Sequence, residues 1–238
     1  MTEREKAAAG FLYDANYDEE LARQRAECKD KCHRYNLCLP SDMAQQDEIM
    51  RGILGKAGNG LRITAPFWCD YGYNIFVGDD FYSNHNLVIL DCAPITFGDH
   101  VFIAPNCCFS AAGHPLDVEQ RNAGLEIALP ITVGNNVWIG AGVTVLPGVT
   151  IGDNTVIGAG SVVTRDIPSG VVAVGNPCRA LRDITEKDKH KYRLALRKVL
   201  SVHISSEGKN FFRLTATFLP SHLYIGQNGK CTALKTDM

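Results

Sequence analysis

From Val133 to Val163 an aliphatic residue returns at every sixth position: Val133, Ile139, Val145, Ile151, Ile157 and Val163. Gly134, Gly140, Gly152 and Gly158 follow four of the six. This period is neither that of an α-helix, about 3.6 residues, nor that of a flat strand, about 2. It suits a chain wound in short coils, with one inward aliphatic per face and small residues where the backbone turns. The pattern predicts a mainly β fold, a parallel β-helix with three hexapeptides per coil and a triangular cross-section.

The beat extends upstream. Val77, Ser83, Ile89 and Ile95 keep the step of six, and after a two-residue slip Phe97, Ile103 and Phe109 resume it. Residues 112–130 are polar and lack the aliphatic beat, so they read as a loop extruded from the prism before the coil resumes. Long loops inside compact domains are often functional. This one opens Gly113-His114-Pro115.

Three regions follow. Residues 1–60 predict a helical cap: a short first segment around Ala7, Phe11 and Leu12, a second from about Tyr17 to Leu37, and a third starting at Asp42. The third carries the stripe Ile49, Met50, Ile53 and Leu54, with Gly55, Gly58 and Gly60 as its stop signal. Such a cap would cover the unpaired backbone of the first coil. Residues 61–183 are the β-helix, closing near Ile167-Pro168 with Val171 to Ala180 crossing back. In residues 184–238, a basic helix over 184–202 with Leu194, Leu196, Val199 and Leu200 precedes a tail without repeat.

Composition excludes some functions. With a net charge of −2 in 238 residues, no bulk electrostatic pull toward nucleic acid or membrane is expected. No run reaches the roughly 18 apolar residues of a membrane span, and the charged start Met1-Thr2-Glu3-Arg4 is unlike a secretory signal. Nine cysteines in no framework spacing read as reduced thiols of a cytoplasmic protein. Cys28, Cys32 and Cys38 lie near His33, but their spacing fits no zinc finger and no metal is expected.

His114, between glycine and proline at the base of the loop, is the leading candidate for proton transfer near neutral pH. The ordered set Asp70-Tyr71-Gly72, Phe81-Tyr82-Ser83-Asn84, Ile103-Ala104-Pro105-Asn106, Gly113-His114-Pro115, Asn136-Val137-Trp138-Ile139-Gly140 and Gly175-Asn176-Pro177 resembles the bacterial sugar O-acetyltransferases. These are the maltose and galactoside enzymes of the hexapeptide superfamily, and the maltose type is the nearer match. The resemblance covers about residues 5–185.

The resemblance implies a left-handed coil and a homotrimer with active sites between subunits. It also implies direct transfer of an acetyl group from acetyl-CoA to a sugar hydroxyl. In that scheme His114 is the general base and Asn84 holds the acceptor and steadies the oxyanion. Asp14, Arg23, Asp70, Tyr82, Cys92 and Glu126 fall at acceptor-side positions. Exposed helix faces remain the alternative for Asp14 and Arg23, and a solvated loop charge for Glu126. Galactoside members carry an acidic residue where Cys92 stands, which weakens a galactoside assignment. Trp138, Ala141, Ala159, Thr164 and Arg165 match the coenzyme A flank, and Arg179 and Arg182 would meet its phosphates.

Cys107 and Cys108 raise an acyl-cysteine route, which the alternating coil disfavours because neighbouring residues face opposite ways. Other readings keep the scaffold and change the task. One is a γ-type carbonic anhydrase, for which His85, His100 and His114 are too widely spaced. Another is the same chemistry on an antibiotic or other non-sugar hydroxyl, and a third is a non-catalytic trimeric scaffold.

Overall fold

The computed structural model describes residues 1–192, 196–203, 213–220, 223–225 and 231–233. They divide into two units, Met1–Ile184 and Thr185–Met238.

In the first unit the six-residue beat becomes a parallel β-helix with three faces. Face A stacks Lys56–Ala57, Ile75–Val77, Ile95–Phe97, Ile131–Val133 and Thr150–Ile151. Face B stacks Arg62–Ile63, Tyr82–Ser83, Phe102–Ile103, Trp138–Ile139, Val156–Ile157 and Val171–Gly175, and Cys178–Asp183 closes it as an antiparallel strand. Face C stacks Phe67–Cys69, Leu87–Leu90, Cys108–Ser110, Thr144–Val145 and Val162–Val163. The in-phase residues fill the interior: Val133, Ile139, Val145, Ile151, Ile157 and Val163 are all at most 1% exposed. Phe81, Phe97 and Phe109 pack edge to face along the axis, with centroids 5.1 and 5.0 Å apart, a favoured aromatic geometry.

Each corner of the prism has its own chemistry. At the corner from face A to face B, an Asp or Asn in every coil accepts the backbone N–H of its counterpart in the coil before. Asn59 donates to Asp79 Oδ1 at 2.7 Å, Asp79 to Asp99 at 2.7 Å, Asp99 to Asn135 at 2.8 Å, and Asn135 to Asp153 at 2.6 Å. The next residue in each coil turns with positive φ, at Asp80, His100, Asn136 and Asn154, which short polar side chains tolerate. The glycine before each pair leaves room for that oxygen. A Cβ on Gly134 would lie 2.3 Å from Asp153 Oδ1.

The cap has helices α1 (Glu3–Ala8), α2 (Glu19–Asn36) and α3 (Met43–Arg51). Asp18 and Asp42 N-cap α2 and α3 by accepting from Leu21 N and Gln45 N. The stop differs from expectation: α3 ends at Gly52, and the first coil has begun by Lys56. Gly55 is instead a close-approach position, where a Cβ would lie 2.2 Å from Tyr73 O. Leu21, Cys28, Cys32 and Tyr35 are the buried residues of α2, and Met50 that of α3.

Residues 112–130 leave face C and return to face A as a small structured arm. Strand Ala112–Gly113 pairs antiparallel with Leu125–Ala128, and α4 (Val118–Asn122) lies between them in sequence. The cap reaches this arm through strand Tyr13–Asp14, which pairs on the other side of Leu125–Ala128.

Among the described residues, the helix expected over 184–202 does not form. A single 3-10 turn occupies Glu186–His190, and Leu196–His203 is a strand paired antiparallel with Arg213–Pro220. Short apolar runs do not distinguish helix from strand by periodicity, and here the deciding partner lies ten or more residues downstream. Leu223–Ile225 pairs with Cys231–Ala233. Residue Leu194 of the expected helix lies outside the described residues.

Candidate active site

The other two corners of the prism carry most of the candidate site residues. The corner from face C to face A stacks Asp70, Asp91 with Cys92, the arm bearing His114, and Thr164 with Arg165, since each follows a strand of face C.

His114 is held through its ring. Nδ1 lies 3.2 Å from Leu125 O. A carbonyl can only accept, so Nδ1 carries the proton and the lone pair sits on Nε2. Glu126 Oε1 lies 3.9 Å from Nε2, where it would steady the imidazolium once Nε2 takes a proton. Glu126 is itself positioned by Tyr13, whose hydroxyl donates to Oε2 at 2.9 Å. Tyr13 is buried, and burial raises its own pKa, keeping it a neutral donor. Its place comes from the register Tyr13↔Glu126, a long-range pairing that local patterns do not reveal.

Asp70 opens a tight turn that Asp91 organises. Asp91, fully buried, accepts from Asp70 N at 3.0 Å, Tyr71 N at 2.9 Å and Asn74 N at 3.4 Å. Burial pushes Asp91 up to about 6, against the pull of those N–H donors. Gly72 in this turn has φ +77, and a Cβ there would meet Ile53 O at 2.4 Å. Burial also raises Asp70. Cys92 Sγ lies 3.8 Å from Asp70 Oδ2, and burial, then the Asp70 charge, pushes the Cys92 thiol up to about 12. Cys92 is therefore a neutral wall.

The other acceptor-side candidates fall differently. Asp14 Oδ1 accepts from Asn16 N at 3.1 Å and Tyr17 N at 2.9 Å, so this oxygen shapes the chain entering α2. Arg23 lies on an exposed face of α2, bridged to Glu20 and Glu27. Arg25 is the arginine of this helix that reaches the Asp70 turn, with Nη1 donating to Tyr71 OH at 2.6 Å.

The corner from face B to face C stacks Asn84, Ala104, Ala141 and Ala159. Asn84 Oδ1 accepts from His85 N at 2.7 Å, which leaves its amide N–H groups to donate outward. Tyr82, Asn84, Phe102, Ile103, Ala104 and Trp138 line a groove of 440 Å³. Tyr82, Phe102 and Trp138 stand in register across face B, and Trp138 is 54% exposed. Arg179 and Arg182 lie on the strand that ends this face, opposite Val174 and Val172. Thr164 and Arg165 lie one corner away, at the end of face C.

Asn84 and His114 thus occupy different corners of one chain. Cys107 is buried, its thiol donating to Ala104 O at 3.1 Å and Gly140 O at 3.2 Å, which marks it as packing. Of the separated histidines, His85 contacts Ala65 O and His100 contacts Asp80.

The family pattern described as the maltose acetyltransferase hexapeptide capping motif matches residues 6–58, and the bacterial transferase hexapeptide pattern matches residues 130–165. A putative acetyltransferase of Saccharomyces cerevisiae is 56% identical over 184 residues, covering 77% of this chain and 94% of that protein. The chain belongs to the hexapeptide-repeat sugar O-acetyltransferase family. Among solved structures, a maltose O-acetyltransferase from Clostridium difficile 630 superposes with a TM-score of 0.76 at 47% identity, over 78% of this chain and 99% of that one. A galactoside acetyltransferase in complex with coenzyme A superposes with a TM-score of 0.78 at 44% identity, over 81% and 96%. As a member of this family the chain is an acyltransferase.

Proposed function

We propose that this acyltransferase moves an acetyl group from acetyl-CoA to a hydroxyl of a maltose- or glucose-like sugar by direct transfer, as a homotrimer in the cytoplasm. The observation that carries the reading is the 3.2 Å contact of His114 Nδ1 with Leu125 O, from which the tautomer follows. With Nδ1–H fixed on Leu125 O, Nε2 is the basic nitrogen and can take the proton of an attacking hydroxyl.

Acetyl-CoA supplies an activated acyl carbon with a thiolate leaving group. Around it the chain's own groups do three things. His114 Nε2 removes the acceptor proton and returns it to the departing sulfur. Glu126, braced by Tyr13, offsets the charge that His114 carries between those events. The Asn84 amide donates to the acyl oxygen as negative charge develops there, an oxyanion-type role. Exposed Trp138 with the small residues Ala141 and Ala159 offers a flat flank for an extended pantetheine arm. Arg165, Arg179 and Arg182 carry the positive charge for phosphates.

The separation of Asn84 from His114 supports assembly. In a cyclic trimer the face B–face C corner of one subunit can meet the face C–face A corner of its neighbour, so that each site is shared. The half-buried, neutral Cys92 thiol beside Asp70 adds no charge to the acceptor side, where galactoside members carry an acidic residue. For the compartment, eight cysteines of the described residues are free thiols, which suits a reducing cytoplasm.

The test is a mass-spectrometric search for acetylated product with acetyl-CoA and maltose, glucose, a β-galactoside or no acceptor. Acetylated maltose or glucose is the expected result. Product on the β-galactoside alone would contradict the acceptor assignment, and product on no sugar would favour a non-sugar hydroxyl or an inert scaffold.

A further inference from the structure

Helix α2 carries Cys28 and Cys32 one turn apart on its buried side, and Cys69 ends the face C strand against which α2 packs. All three are buried, at 3%, 0% and 2% exposure. The sulfurs of Cys28 and Cys32 lie 3.5 and 3.7 Å from that of Cys69, and all three lie within 4.8 Å of one another. A lone buried cysteine acts as a small apolar side chain. Three sulfurs brought to one point from two elements are a donor set.

The spacing and the ligand count say what such a set would hold. A metal–thiolate bond of about 2.3 Å places the sulfurs of a trigonal three-sulfur site about 4.0 Å apart, within about half an ångström of the two separations seen here. Structural zinc takes four donors. Among the described residues no histidine nitrogen or carboxylate oxygen joins this group, and the nearby Asp91 carboxylate is committed to the Asp70 turn. Soft thiolate sets select univalent copper, zinc or iron–sulfur clusters, and of these zinc and the clusters take a fourth protein donor, which leaves univalent copper. We propose that Cys28, Cys32 and Cys69 form a three-sulfur site for one Cu(I) ion at the seam between the cap and the β-helix. Such an ion would fasten α2 to the strand that leads into Asp70, apart from the groups that move the acetyl group.

Binding would displace the thiol protons, as metal–thiolate sites do.

The test uses the full chain, reduced and free of oxygen, titrated with Cu(I) against the competing chelator bicinchoninate, with the sulfur neighbours of the bound ion counted by X-ray absorption. One tightly held ion with three sulfurs is expected in the unaltered chain and in Cys38→Ser, which lies outside the cluster. Cys69→Ser should weaken binding by more than the roughly 10- to 100-fold that loss of an outer-shell partner costs. No ion won from the chelator, a two-sulfur ion, or undiminished binding by Cys69→Ser would each overturn the site. The sulfur count on the unaltered chain decides the matter even if the variant fails to fold.

Discussion

His114 shows how far one side chain depends on others distant in sequence. Its ring is set by Leu125 O and faces Glu126, which Tyr13 braces. His114→Ala should lower turnover by about 10²- to 10⁴-fold, the usual contribution of a general base, with little change in melting temperature because the side chain is half exposed. Steady-state rates with a thermal melt as control check this, and turnover within a few-fold of wild type would remove His114 from the mechanism. Asp91 gives a pH signature. Its pKa is raised from 3.8 to about 6 by burial, so the folded chain holds the proton more tightly than the unfolded chain. Its contribution to stability is complete below about pH 4 and is lost as pH rises through about 6. The stability of Asp91→Asn relative to wild type should therefore grow across that window, by up to roughly 3 kcal/mol for a two-unit shift. Denaturant melts of both proteins at several pH values would show it, and a difference independent of pH would contradict it.

At the scale of elements, the β-helix rests on inward side chains and on the Asp/Asn ladder at one corner. Ser83 keeps the step of six, yet its hydroxyl is buried without a hydrogen-bond partner among the described residues. An unsatisfied buried hydroxyl costs about 1–3 kcal/mol, so Ser83→Ala should be more stable by about 1 kcal/mol in urea titration, and a comparable loss would reveal a hidden partner. Gly134→Ala should destabilise by roughly 1–3 kcal/mol, because the new methyl would sit 2.8 Å from Asp153 N as well as on its side-chain oxygen. An unchanged midpoint would show that the ladder shifts freely. The coils were legible in the sequence because each buries one residue per face at fixed spacing, so Val133 to Val163 reports the core directly. The ladder was legible only as recurring Gly-Asp and Gly-Asn pairs, whose meaning needs the stacking of coils. The braces of the site were harder to read. Tyr13 reaches Glu126 across more than a hundred residues, Arg25 rather than Arg23 meets the Asp70 turn, and Cys69 completes a pair begun on α2. None of these has a local period.

For the whole molecule, the proposed site draws on two corners that the fold keeps apart within one chain. A β-helix holds each corner rigidly, and the corner with Asn84 and Trp138 is not the corner with His114, Asp70 and Cys92. The relatives match over 92–100% of their own length with 75–81% of this chain. The most direct measurement is complementation: His114→Ala and Asn84→Ala chains are co-expressed in equal amounts, and acetyl transfer is compared with that of each variant alone. Each variant alone should be inactive. A mixed trimer has one intact site of three, so random mixing should restore about a quarter of wild-type turnover. No recovery in trimers shown to be mixed would contradict a site shared between neighbouring chains.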